Sequence, residues 1–125
     1  MIIAVLALCA SACGKSTPPL YTRQATSACL QKAGHAPKAI GAAADFVANS
    51  ATGGAFHVTL PGNGVTVSFG QTLGDADNID QAYRQFHSKN VGIDDVLRTQ
   101  GNAVMLWHEH PSDADIAAIT GCLKS

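Results

Sequence analysis

Residues 102–122, NAVMLWHEHPSDADIAAITGC, constrain the fold more than any other part of the chain. Ala103, Val104, Met105, Leu106 and Trp107 form an unbroken apolar run with the length and composition of a buried strand. Pro111 ends any ladder, and Ser112 and Asp115 then stand at capping-box spacing, with Asp in place of the usual Glu. Ile116, Ile119, Cys122 and Leu123 fall on one side of the helix so opened. The pattern predicts a central strand followed by a packing helix that carries Cys122 to a buried face. It holds no catalytic signature.

At 125 residues the chain is one domain at most. A formal charge of -1 with only 14% charged residues argues against nucleic-acid binding and against an acidic tail. Lys and Arg are scattered, with no basic stripe. Gly14-Lys15-Ser16-Thr17 resembles the end of a phosphate-binding loop. Cys9 stands where that motif needs its first glycine, and Pro18-Pro19 forbid the helix that must follow. No cofactor is expected.

The N-terminus reads as an address. Met1 to Ala12, MIIAVLALCASA, is too short to span a bilayer, for which roughly 20 apolar residues are needed. An apolar run ending in small residues is the pattern of a secretory signal. Ala10-Ser11-Ala12 before Cys13 resembles a bacterial lipobox, with cleavage before Cys13 and a diacylglycerol on its sulfur. Ala10 stands where leucine is usual, and no Lys or Arg precedes the apolar run, which leaves the true start open. The expected organisation is a signal peptide over 1–12, a lipid-anchored tether over 13–25 and a single domain over 26–125. An ordinary secreted protein is the alternative.

Within the domain, Ala25, Cys29, Leu30 and Ala33 recur at helical spacing before Gly34, with Thr26 or Ser27 as the cap. Residues 38–50 fit a second helix through Ile40, Ala43, Ala44 and Val47, or a shorter one capped by Asp45. Phe56, Val58 and Leu60 alternate with polar residues, as do Val65, Val67 and Phe69, around a Pro-Gly-Asn-Gly turn. That is a β-hairpin with one apolar face, so the sheet should be covered on one side only. Residues 75–89 carry a helical stripe of Ile79, Ala82, Tyr83 and Phe86, with Asp75, Asp77 and Asp80 compensating the helix dipole at its start. Residues 93–100 read as another helix, capped by Asp94 and stopped by Gly101. The expected fold is α+β: a two-layer sandwich of about three strands, a hairpin plus one crossover strand, with helices on one face.

Two cysteines, Cys29 and Cys122, remain behind the export signal, each on the apolar side of a terminal helix. They are expected to pair. The five histidines raise a metal reading through His57, His108 and His110, with Glu109 or His87 in support. The ligand spacing of known sites is missing, and exposed strand ends account for these residues as well. Ser68, Ser88 and Ser112 lack a nucleophile-elbow context. Trp107 shares a strand face with Ala103 and Met105 and is expected in the core rather than on a binding surface.

The segments ACLQKAG, VTVSFG, QAYRQF, DDVLRTQGNAVMLW and the closing P-S-x-x-D…GCLK resemble a group of small exported bacterial proteins and lipoproteins of unknown function. The resemblance covers residues 27–124. It implies one domain and a cysteine pair, and carries no activity, substrate or catalytic residue. The reading that results is a non-catalytic cell-envelope lipoprotein, held to the membrane by lipid and binding an envelope protein or wall component. A small histidine-based metal protein and an unrecognised hydrolase are the alternatives.

Overall fold

A computed structural model describes residues 19–41, 43–86 and 92–125. The predicted signal peptide, Cys13 and His87 lie outside these residues. The domain is α+β, as expected, with a sheet of four strands rather than three. The elements are α1 (Arg23–Lys32), α2 (Phe46–Asn49), β1 (Ala55–Leu60), β2 (Asn63–Phe69), α3 (Leu73–Phe86), α4 (Ile93–Val96), β3 (Leu97–Gln100), β4 (Ala103–Trp107) and α5 (Asp113–Thr120). The sheet order is β1-β2-β4-β3, and every neighbouring pair is antiparallel.

The extra strand comes from the second half of the segment expected to be helical over 93–100. Only Ile93–Val96 is helical; Leu97–Gln100 pairs with β4 from Leu97↔Leu106 to Gln100↔Ala103. Two residues, Gly101 and Asn102, remain to close the hairpin, and Gly101 supplies the positive φ of 56° that such a turn requires. Pairing with a buried neighbour outweighs the modest helical tendency of Leu-Arg-Thr-Gln. The expected crossover after β2 therefore lands one place further out. Helix α3 leads to β3, which runs in the same direction as β2, and β4 returns between them.

The long alternative for residues 38–50 gives way to the short one. Asp45 accepts from Ala48 N at 3.0 Å and caps the single turn of α2. Upstream, Lys38 instead forms an antiparallel bridge with His57. Helix α1 starts earlier than expected, capped by Thr22 rather than Thr26 or Ser27. The Tyr21 backbone, just ahead of α1, is hydrogen-bonded to the Asn102 side chain. Thr26 is fully buried and its hydroxyl meets the backbone of Lys124 at the other end of the chain.

The sheet is covered on both faces, not one. On the first face Phe56, Val58, Val65, Val67, Phe69, Met105 and Trp107 pack against Leu30 of α1 and against Ile119, Cys122 and Leu123 at the chain's end. Trp107 is 2% exposed, a core residue as expected. On the second face Val104 and Leu97 pack with Val47, Ala76, Ile79 and Tyr83 of α2 and α3. The hairpin's polar face misled here because its polar residues are small. Ser68 is fully buried under the second layer and Thr66 nearly so. Of the stripe on α3, Ile79 and Tyr83 are buried, while Phe86 is 57% exposed and meets the ring of Phe46 edge-on at 4.7 Å.

Candidate functional site

Helices α2 and α3 leave part of the second face open. The strand register sets His57 beside Thr66, Thr66 beside Leu106, and Leu106 beside Leu97. Antiparallel partners point the same way, so these residues form one row across the sheet. A groove of about 850 Å³ runs over this row, between the segment from Lys38 to Phe46 and the short helix α4. Small-molecule sites commonly occupy roughly 300–1,000 Å³.

The row changes character along its length. At the β1 end are Lys38 and His57, joined by a backbone bridge, and His108 just past β4. At the other end are Leu106, Val96 and Ile93, all half-buried, with Phe46 60% exposed on the rim. Gly64 is what lets the two imidazoles close on each other. His108 N donates to Gly64 O at 2.9 Å, and a Cβ at residue 64 would sit 3.2 Å from His57 Cε1 and 3.3 Å from His108 Nδ1. Over that bare backbone the rings approach to 5.1 Å between centroids. His57 Nδ1 also lies 3.4 Å from Thr66 Oγ1.

Partial burial, and after it the neighbouring His108 and Lys38, hold the His57 imidazole below its ordinary value of 6.5. The folded-state pKa is then lower than the unfolded one, so the unfolded chain binds the proton first as pH falls. This contribution to stability is intact above about pH 6.5 and declines below it. His57→Gln is expected to flatten the decline. Urea-unfolding midpoints at about pH 7.5 and about pH 5.5 for both proteins check this. Parallel declines would exclude His57 as the source.

Beneath the groove, the Tyr83 hydroxyl donates to Asp45 Oδ2 at 2.7 Å. Burial, chiefly, and the Asp45 carboxylate raise the Tyr83 phenol far above its usual range, with Ser68 acting in the opposite direction. Tyr83 is therefore a fixed donor, and Asp45 is spent on the cap of α2 and on that phenol. Neither is a free base. Ser112 accepts from Asp115 N and caps α5 in the predicted capping box. Ser88 lies outside the described residues.

The three histidines of the metal reading are divided. His57 and His108 come together, but His110 has left β4 and its Nδ1 lies 2.5 Å from Asp95 Oδ1. Among the described residues no three metal-ligating side chains converge. Asp75, in the acidic start of α3, accepts from Thr52. Asp80 and Asp94 both meet Arg84. Cys29 and Cys122 form the expected disulfide, with Cα atoms 5.3 Å apart. Lys38, Phe46, Gly64, Val96 and Leu106 were not singled out as site residues from sequence. The alternation of the hairpin and of β4 does place Thr66 and Leu106 on the His57 side, but nothing local brings Lys38 or α4 to it.

What the fold defines, among the described residues, is a small α+β domain with an open groove on the second face of its sheet. Comparison with known proteins finds no matching family model, no similar curated protein and no similar solved structure. No helix of the described residues is long and apolar enough to cross a membrane.

Proposed function

We propose that this is an extracytoplasmic domain, carried through Cys13 on a lipid anchor, whose work is to bind rather than to catalyse. The groove over His57, Thr66 and Leu106 carries this reading. It is the place where apolar side chains on the sheet's second face stay open to solvent beside convergent polar groups. His57 Nδ1 stands 3.4 Å from the Thr66 hydroxyl, but among the described residues no carboxylate forms an ion pair with that imidazole, and Asp45 is engaged with Tyr83. The membrane is a partner through the anchor. The groove's ligand comes from the envelope, as a free component or as part of an envelope protein or wall polymer.

Mass spectrometry of the full chain extracted from its native membrane tests both halves. The denatured mass should show an acylated Cys13 at the N-terminus and a two-proton deficit that reductant removes. The native mass should exceed the denatured one by a non-covalent adduct, and Leu106→Arg should lose that adduct. A chain without lipid would overturn the anchor. An adduct that survives Leu106→Arg, or none in the wild type, would overturn the groove as the binding site.

A further inference from the structure

The basic groups of the groove gather at one end. All nine side-chain carboxylates lie among the described residues, and six of them have partners that can be named. Asp45 is engaged with Ala48 N and Tyr83, Asp75 with Thr52, Asp80 and Asp94 with Arg84, Asp95 with His110, and Asp115 with its own helix cap. None forms an ion pair with Lys38, His57 or His108. The charged groups that bear on His57 are Lys38 and His108, and both are basic. Three basic side chains thus converge on one end of the groove; of the acids nearby, Asp45 is held by Tyr83, and Glu109, next to His108, forms no ion pair with them. From there the row passes through Thr66 to apolar surface at Leu106, Val96 and Ile93.

Resting on the groove as the binding site, we propose that its ligand is a single-chain alkyl carboxylate. The head lies against Lys38, His57 and His108, and the chain crosses β2 and β4 toward α4 and Phe46. A carboxylate suits this cluster, because Lys38 offers an ammonium and the two imidazoles offer N–H donors to a single anionic head. Among the described residues the apolar end is lined by Ile93, Val96, Leu106 and Phe46, whose side chains carry no donor. Charge-assisted hydrogen bonds at one end and area burial at the other divide the work, with recognition from the head and affinity from the chain.

The test is calorimetric titration of the full chain with decanoate, decanol, decyltrimethylammonium and acetate, each below its aggregation concentration. Decanoate should bind about tenfold or more tighter than decanol, the size of one hydrogen-bonded charge contact. Decyltrimethylammonium should bind more weakly than decanol, and acetate alone should give no measurable heat. Lys38 is exposed, so Lys38→Gln leaves the packing intact; it should cost decanoate about tenfold and leave decanol unchanged. Gly64→Ala, which forces the rings apart, should weaken decanoate in the same selective way. Equal affinity for decanoate and decanol, or indifference to Lys38→Gln, would overturn the carboxylate while leaving the groove as the site. If no alkyl ligand binds, the proposal is overturned, and the native-mass adduct alone decides whether the groove is a site.

Discussion

Replacing Cys29 and Cys122 together by Ala is expected to lower the unfolding free energy by about 4 kcal/mol, within the roughly 2–5 kcal/mol typical of native disulfides. The bond joins residues 93 apart, so its loss frees nearly the whole domain in the unfolded state. By the chain-entropy relation such a loop corresponds to about 4 to 5 kcal/mol. The folded state is also placed to feel the loss. Helix α1 has only ten residues, too few to persist alone, and buries just Thr26 and Leu30. Its hydrogen bonds to the chain's end are few: Thr22 N to Lys124 O at 2.7 Å and Thr26 Oγ1 with the Lys124 backbone. Urea unfolding of the oxidised, reduced and doubly substituted proteins measures the effect. The reduced and substituted proteins should agree closely, since both thiol positions are small. A loss below about 1 kcal/mol would mean that α1 and α5 hold the first face without the covalent link.

The fold is legible in the sequence where local pattern and tertiary demand coincide. Phe56, Val58 and Leu60 alternate because one face of β1 is core, and Ser112 with Asp115 caps α5 as their spacing requires. It is not legible where the deciding partner is distant in the chain. Leu97 to Gln100 becomes a strand only because β4 lies alongside, and the two-residue Gly101-Asn102 turn is the local sign that was passed over. A parallel crossover from β2 directly to residues 103–107 was expected for the same reason, since an unseen strand reverses the direction of the next one. The second covered face was hidden because Thr66 and Ser68 are polar yet small enough to be packed under α2 and α3. At the candidate site, two of the three histidines of the metal reading, His57 and His108, lie together, while His110 falls past β4 and meets Asp95. The groove itself depends on Lys38 bridging to His57 across the intervening α2, which no periodicity encodes.

Asn102→Ala is expected to cost about 2–4 kcal/mol, from three hydrogen bonds lost in one substitution. Asn102 entered the sequence reading only as the residue before an apolar run, yet its side chain is 1% exposed and fully engaged. Its Oδ1 accepts from Tyr21 N at 2.7 Å, and its Nδ2 donates to Tyr21 O at 2.9 Å and to Gly70 O at 2.7 Å. One amide thus binds both backbone groups of the residue that leads into α1 and the residue that leaves β2. Gly70 N returns the contact by donating to Asn102 O at 2.9 Å. Alanine would leave a donor and two acceptors without their side-chain partner, and at the buried Gly70 carbonyl that penalty exceeds the worth of the bond itself. Asn102→Asp separates geometry from chemistry. It preserves shape and the acceptor for Tyr21 N but turns a second oxygen toward two carbonyls. The neutral acid can still donate to one of them, whereas the carboxylate can donate to neither. Its folded-state pKa is then raised above the unfolded value of about 3.9, so the stability of Asn102→Asp relative to wild type should fall as pH rises from about 4 to about 7. Hydrogen exchange locates the damage: the Tyr21 amide should lose protection in both variants by more than the global loss of stability explains. If Asn102→Ala unfolds within about 0.5 kcal/mol of wild type, water reaches this junction and the N-terminal entry to α1 is held by the disulfide and the Lys124 backbone instead.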